Sequence, residues 1–227
     1  MKGSRVSIPV NGRSIETYIT PAAGGRGPGV VVIQEWWGLV PHIESVCERF
    51  ALEGFTALAP DLYHGESTTS PDEAGKLMMA LDVESAAADL RSSVDHLLSH
   101  PETLGSKVGV IGFCMGGMLS MFAAGDDSRI GACINYYGVH RNIHPDFESL
   151  QAPVLGFFGK KDRSVPPAVV EKLEETMKQA GCQVEFHSYD NAGHAFFNDQ
   201  RPAVYVESAA QDSWNRSIAF LRAHLGA

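Results

Sequence analysis

The stretch GVIGFCMGGMLS, residues 109–120, places one cysteine between an apolar run and the start of a helical pattern. Glycines at 112 and 116 flank Cys114, which is the G-x-nucleophile-x-G pattern of a sharp strand-to-helix turn. Such a turn holds the side chain clear and aims the N–H groups of the following helix at it. The pattern is typical of a reactive cysteine, although a small buried cysteine between packing glycines is the simpler alternative.

Short apolar runs alternate with helical patterns on both sides of this corner. We predict strands over residues 29–33, 55–60, 107–113, 131–138, 153–159 and 183–189. We predict helices over 83–98, from Pro167 to a stop at Gly181, and over 212–225. This alternation predicts an α/β fold with a mostly parallel central sheet and helices on both faces, whose ligands bind beyond the carboxyl ends of the strands. Because no linker-like stretch interrupts it, we expect one domain over 1–227.

The composition narrows the class of partner. Eighteen Lys and Arg against 27 Asp and Glu give a net charge of -9, with no basic run. We therefore expect no nucleic acid or membrane partner, and a small-molecule substrate instead. The chain has no secretion-signal pattern and no run approaching ~20 apolar residues, so we expect a cytoplasmic protein. The sequence leaves its oligomeric state, monomer or homodimer, open. Cys47, Cys133 and Cys182 lie in or beside apolar segments without a C-x-x-C pair, which predicts core packing.

Two further residues extend the argument from Cys114. Asp162 follows the predicted strand 153–159, and His194 follows the predicted strand 183–189. Nucleophile, acid and histidine in this chain order are the arrangement of an α/β-hydrolase fold, so the three side chains should meet at one sheet edge. Each has a simpler reading: Asp162 as a turn residue and His194 as a surface histidine. Asp190 is a rival orienting acid, but it would have to fold back to reach the imidazole.

Five segments carry a resemblance to a known family: VVVIQEWWGL, APDLYHG, GFCMGG, GKKDRSVP and NAGHAFFND. With them the chain resembles the dienelactone hydrolases, a cysteine-nucleophile branch of the α/β-hydrolase superfamily. The resemblance implies Cys114 as nucleophile, His194 as general base and then acid, and Asp162 as the residue that orients it. It implies oxyanion stabilisation by the backbone N–H groups of Trp36 and Met115. It implies no cofactor.

Glu35 ends the first strong apolar run and is therefore expected at the same sheet edge as Cys114. The resemblance implies that it lies near the sulfur and helps to convert thiol to thiolate. Its carboxylate can accept the thiol proton or oppose ionisation by repulsion, and removing it would have opposite effects in the two cases. A structural role, paired with an arginine, is the third possibility.

The substrate argument rests on a departure from the family pattern. Members that act on the dienelactone are expected to hold its carboxylate with arginines, one of them four residues after the catalytic histidine, and Asn198 stands there. Lys76 lacks the planar guanidinium that binds a carboxylate through two hydrogen bonds. Arg201 could take the place of the missing arginine only if its loop turned inward. We therefore expect uncharged, apolar or aryl esters, with promiscuous hydrolysis of phosphotriesters. The predicted substrate-binding residues are Trp37, Lys76, Met78, Asn198 and Arg201.

Three classes of function remain at this point. The leading one is a hydrolase that cleaves esters or lactones through a thioester on Cys114. A thiol-redox or peroxide-sensing protein would use the same cysteine with a nearby resolving thiol, and a non-catalytic ligand-binding module would keep only the fold. His140 and His144 have zinc-ligand spacing but no second pair, so we expect a solvated loop and no metal.

Overall fold

The computed structural model describes residues 2–226. It contains an eight-stranded sheet with the order β1-β2-β4-β3-β5-β6-β7-β8. The strands are β1 (Ser4–Val10), β2 (Arg13–Thr20), β3 (Gly27–Ile33), β4 (Thr56–Pro60), β5 (Thr103–Phe113), β6 (Ile130–Tyr136), β7 (Val154–Gly159) and β8 (Val184–Tyr189). The helices are α1 (Pro41–Leu52), α2 (Pro71–Ala80), α3 (Val83–Ser99), α4 (Met115–Asp126), α5 (Pro167–Gln179) and α6 (Glu207–Leu225).

The predicted strands form a parallel sheet, as expected. Strands β4, β3, β5, β6, β7 and β8 are neighbours in parallel pairs. Strands β1 and β2 were not predicted from the sequence; they extend the sheet beyond β4 in antiparallel pairing. Their hairpin turns at Asn11 and Gly12, both with positive φ. An Asn-Gly pair between two segments of alternating apolar and polar residues is a strong hairpin signal, so this hairpin could have been predicted from the sequence.

Both faces of the sheet are covered by helices, which confirms the predicted α/β fold with a mostly parallel central sheet. Along β3, Val31 and Ile33 belong to the apolar core that α3, α4 and α5 cover on one face of the sheet. Val30 and Val32 belong to the core that α1 and α6 cover on the other face. This buried alternation explains why β3 reads as a continuous apolar run. Cys47, Cys133 and Cys182 are buried, as predicted for core cysteines. Within residues 2–226, no helix combines the length and apolarity required to cross a membrane.

The corner after β5 depends on a close backbone approach. A Cβ on Gly112 would lie 1.8 Å from the carbonyl oxygen of Gly116 in α4, so only glycine allows strand and helix this close. Cys114 between them has φ 56° and ψ -121°, a conformation that favours glycine and strains other residues. This backbone conformation turns the chain within one residue, so that α4 begins directly at Met115.

We expect Gly112→Ala to lower the free energy of unfolding by about 1–3 kcal/mol or more, because the added methyl overlaps backbone that cannot move away. Gly75→Ala is the matched control. Gly75 lies within α2 with nothing within 4 Å of an added Cβ, so alanine there should stabilise by up to about 1 kcal/mol. Urea unfolding of both variants measures the difference. Equal stabilities would contradict the close approach at the corner.

Candidate active site

The structure brings His194 and Asp162 together beside Cys114. His194 Nδ1 lies 2.7 Å from Asp162 Oδ2. Because a carboxylate only accepts hydrogen bonds, Nδ1 is the donor, and Nε2 is left for chemistry. Asp162 Oδ1 accepts the backbone N–H groups of Ser164 and Val165, at 2.7 and 2.9 Å. These bonds fix the buried carboxylate, which in turn fixes the imidazole.

The electrostatics of the pair favour a protonated imidazole. Burial lowers the pKa of His194, but the hydrogen bond that His194 donates to Asp162, together with the neighbouring Cys114 sulfur, outweighs burial and raises this pKa to about 10. Burial conversely raises the pKa of Asp162, and the bonds from His194 and the backbone overcome that and lower it. An imidazole whose charge is held by Asp162 thus lies next to the Cys114 sulfur.

Asp190, the rival acid, faces solvent. Its side chain is 78% exposed and pairs with Lys160 Nζ at 2.6 Å. The Lys160 ammonium lowers the pKa of Asp190. Since Asp162 already occupies Nδ1 of His194, Asp190 is not the orienting acid in this structure.

Glu35 lies at the same edge and is buried, 1% exposed. Its Oε2 accepts a hydrogen bond from Asn198 Nδ2 at 2.8 Å, and its Oε1 accepts one from the Tyr137 hydroxyl at 3.4 Å. Among residues 2–226 no Lys, Arg or His lies within ion-pair distance of this carboxyl group. The possibility that Glu35 pairs with an arginine is therefore wrong, and two neutral donors hold it instead.

Tyr137 is a site residue that the sequence analysis missed. It follows β6 with φ 44°, and its N–H donates to the Phe157 carbonyl at 2.8 Å. Burial, with the charge of Glu35, raises the pKa of Tyr137 well above its ordinary value, so it stays a neutral donor. The following turn is closed by Asn135, whose amide bonds both the N–H and the carbonyl of Gly138. Polar residues at a strand's carboxyl end, here in NYYG, were the available signal.

The two predicted oxyanion donors lie on adjoining loops. A Cβ on Gly116 would lie 2.5 Å from the Gln34 carbonyl oxygen, so α4 starts in contact with the end of β3. Trp36 and Met115 both line one cavity with Cys114. Their role as oxyanion donors stays a prediction, since it concerns backbone N–H groups toward a reacting oxygen.

The catalytic cavity has a volume of about 310 Å³. It is lined by Trp36, Met78, Cys114, Met115, Tyr137, Val139, His140, Ser164, Val165, His194, Ala195, Arg201 and Val204. Met78 and Arg201, predicted to bind substrate, are thus at its wall. His140 differs from expectation: it is partly buried at this wall rather than in a solvated loop.

The other predicted substrate-binding residues lie elsewhere. Trp37 and Asn198 line a neighbouring cavity of about 290 Å³. Arg201 lines both cavities, with its guanidinium carbon 5.1 Å from the centroid of the Trp37 ring. Lys76 is exposed on α2 and belongs to the lining of neither cavity. Residues 2–226 contain no group of three or more His, Cys, Asp or Glu placed to hold a metal ion.

Known proteins resemble this chain in sequence and in fold. The family model of the dienelactone hydrolases matches residues 15–225. Protein usf of Aquifex pyrophilus is 39% identical over 98% of this chain and 99% of its own length. A Klebsiella pneumoniae protein, provisionally named a dienelactone hydrolase, has a crystal structure with a TM-score of 0.86 and 31% identity, covering 96% of this chain and 97% of that one.

A more distant structure shares the fold. A dienelactone hydrolase-like promiscuous phosphotriesterase from metagenomic libraries has a TM-score of 0.86 at 22% identity, covering 98% of both chains. The fold, with its sharp turn at Cys114 between β5 and α4, defines an α/β-hydrolase. Within that class the chain belongs to the dienelactone hydrolase family. It is accordingly an enzyme of the ester- and lactone-hydrolysing class.

We expect Asp162→Asn to lower kcat/KM by roughly 10²–10⁴-fold, because the imidazole loses its orientation and its charged partner. The pH dependence of stability should change too. A folded-state pKa of about 10 against an ordinary 6.5 means that His194 contributes stability in full below pH 6.5 and loses it as the pH rises toward 10. Asp162→Asn should flatten this alkaline decline.

Asp190→Asn is the control for Asp162→Asn, since it removes an exposed carboxylate from a neighbouring loop. Its kcat/KM and its alkaline unfolding profile should match those of the unmodified enzyme. A loss of activity equal to that of Asp162→Asn would reverse the assignment of the orienting acid.

Proposed function

We propose that the enzyme hydrolyses ester or lactone bonds through a Cys114-His194-Asp162 triad and a covalent thioester. The observation that carries this proposal is the position of His194, bonded to the buried Asp162 at 2.7 Å and beside Cys114 on its strained corner. The side chain that can accept an acyl group and the side chain that can move protons therefore share one cavity.

The reaction takes place in two halves. The Cys114 thiolate attacks the carbonyl carbon, and the backbone N–H groups of Trp36 and Met115 stabilise the oxyanion. The C–O bond breaks as His194 Nε2 gives its proton to the leaving alcohol, which leaves a thioester. Neutral His194 then takes a proton from water, whose oxygen attacks the thioester carbon. The C–S bond breaks, the acid is released, and thiolate and imidazolium are restored.

The three other cysteines argue against the thiol-redox alternative. Cys47 and Cys133 are fully buried, and burial raises the pKa of the Cys133 thiol to about 12. Cys182 is buried near the carbonyl of Phe147, with its sulfur 3.2 Å from that oxygen. None of them lines the cavity that contains Cys114. A resolving thiol for a disulfide exchange is thus not presented to Cys114, and hydrolysis is favoured.

The preferred substrates in this proposal are uncharged, apolar or aryl esters. Glu35 is buried near the cavity that contains Cys114 and accepts hydrogen bonds from two neutral donors, so its carboxylate disfavours an anionic substrate. Asn198 donates to Glu35 and, as a neutral amide, offers a substrate carboxylate no charge-assisted pairing. Arg201 is a cation at the wall, but its guanidinium lies over the Trp37 ring. Neutral aryl phosphotriesters fit the same surroundings as a promiscuous substrate.

Cys114→Ala should abolish hydrolysis of p-nitrophenyl acetate while the fold is retained, because the nucleophile alone is removed. Cys133→Ala is the matched control: it removes a buried thiol and should lower stability while turnover continues. Nitrophenol release and thermal unfolding measure the two properties. Turnover retained by purified Cys114→Ala would reject the mechanism, and mass spectrometry should detect an acetyl group on the unmodified enzyme only.

The substrate preference can be measured with a neutral aryl ester, a dienelactone carboxylate and an aryl dialkyl phosphate under one set of conditions. We expect kcat/KM to be highest for the neutral aryl ester, measurable for the phosphate and lowest for the carboxylate. Glu35→Gln should narrow the gap between neutral ester and carboxylate, since it removes the repelling charge. A clear preference for the carboxylate would show that Arg201 supplies a clamp and would reject this part of the proposal.

A further inference from the structure

His140 introduces a second imidazole into the catalytic cavity. It follows β6 and lines the cavity together with Cys114 and His194. Its turn is anchored from below, because the N–H of Ile143 donates to the His140 carbonyl at 3.3 Å and the Ile143 side chain is fully buried. The backbone at His140 is therefore tied to the core through Ile143.

The hydrogen bond at Nδ1 defines the tautomer of His140. The backbone N–H of Asn142 lies 3.2 Å from His140 Nδ1. A backbone N–H can only donate, so Nδ1 is the unprotonated nitrogen and the ring proton is on Nε2. Burial, with the positive charges of Arg141 and His144, lowers the pKa of His140. At neutral pH the ring is therefore an uncharged imidazole with one N–H donor.

Strand order places this donor on one side of the nucleophile. Cys114 follows β5, with β3 on one side of it and β6, β7 and β8 on the other. Trp36 follows β3, while His140 follows β6 and His194 follows β8. In the proposed reaction His194 protonates the leaving alcohol, so the alcohol portion of the ester extends toward β6 to β8. His140 lies on that side.

The N–H group of His140 has mainly apolar neighbours. Val139 and Val165 lie at the same wall, and the Tyr137 hydroxyl already donates to Glu35. The other donors at the wall are the Ser164 hydroxyl and the Arg201 guanidinium, which lies over the Trp37 ring. A donor in an apolar wall disfavours a substrate that cannot accept its hydrogen bond, because the N–H group then loses its water without compensation.

We propose that His140 is a specificity-determining residue whose Nε2–H donates a hydrogen bond to an uncharged oxygen in the alcohol portion of the substrate. The preferred esters then carry an ether, hydroxyl or carbonyl oxygen there. This inference rests on the proposed function, because it uses His194 as the proton donor to the leaving alcohol. It adds a recognition element that the triad does not require.

Two esters of equal shape test it: 2-methoxyethyl acetate and butyl acetate, which differ by an oxygen in place of one methylene. The measured quantity is the ratio of their kcat/KM values, which reports the steps in which the alcohol is still attached. Their different intrinsic reactivity cancels when this ratio is compared between variants. Relative to His140→Phe, the unmodified enzyme should favour the methoxyethyl ester by roughly fivefold to tenfold, the contribution of one neutral hydrogen bond.

His140→Gln is the conservative variant, since its amide N–H reaches toward the position of Nε2, and it should recover part of the preference. Ser164→Ala removes a hydroxyl from the same wall and should leave the ratio unchanged. The kcat for p-nitrophenyl acetate, which forms the same acetyl-enzyme, reports whether the triad is intact. A variant that no longer turns over p-nitrophenyl acetate has lost the triad geometry, and the ester ratios are then compared among the variants that retain this turnover.

The outcomes separate the two proposals. One result would overturn the role of His140 and leave the triad standing: the unmodified enzyme turns over p-nitrophenyl acetate, but its ester ratio equals those of His140→Phe and His140→Gln. Failure to hydrolyse any of the three esters overturns both. A ratio that changes equally in Ser164→Ala would assign the recognition to the hydroxyl and not to the imidazole, which also overturns the inference.

Discussion

The close approach of β5 and α4 at Gly112 and Gly116 is the constraint on which the site depends. A Cβ at either position would enter backbone, at 1.8 Å from Gly116 and 2.5 Å from Gln34 respectively. The approach forces the turn into one residue, and that residue is Cys114 with positive φ. It also sets α4 against the loop after β3, which carries Glu35 and Trp36. A steric condition on two glycines thus determines where the sulfur and its neighbours lie.

The site is a set of strand ends tied together by hydrogen bonds. Asp162, after β7, fixes His194, after β8, while Tyr137 and Asn198 fix Glu35 from two other segments of the chain. Because the strands are parallel, these ends meet although Glu35 and Asn198 are 163 residues apart in the chain. Each tie satisfies a buried polar group that would otherwise cost stability, so the same bonds serve the fold and the chemistry.

The sequence contained most of this architecture but not all of it. Strands β3, β4, β6 and β7 are readable because burial on both faces makes each a compact apolar run, whereas the edge strand β8 is half-exposed. The hairpin of β1 and β2 has mixed, half-exposed strands, and only its Asn-Gly turn marks it. Cys114, Asp162 and His194 could be placed by motif and chain order. Tyr137 lies directly after β6, and its position at a polar strand end was a usable signal. His140 and the bond from Asn198 to Glu35 could not be predicted, because they depend on where loops fold back over the sheet edge, which local patterns do not encode.

An open sheet of this kind has two free edges, formed here by β1 and β8. Unpaired strand edges are templates for pairing with another chain and hence for aggregation. In β1 the edge includes Arg5 and Pro9, a charge and a residue without an N–H group. In β8 it includes Glu185 and His187, whose side chains pair at 2.6 Å. These residues disfavour pairing of an edge strand with another chain. The polar edges therefore lower the tendency to aggregate during folding, which is slow for a parallel sheet because its paired strands lie far apart in the sequence.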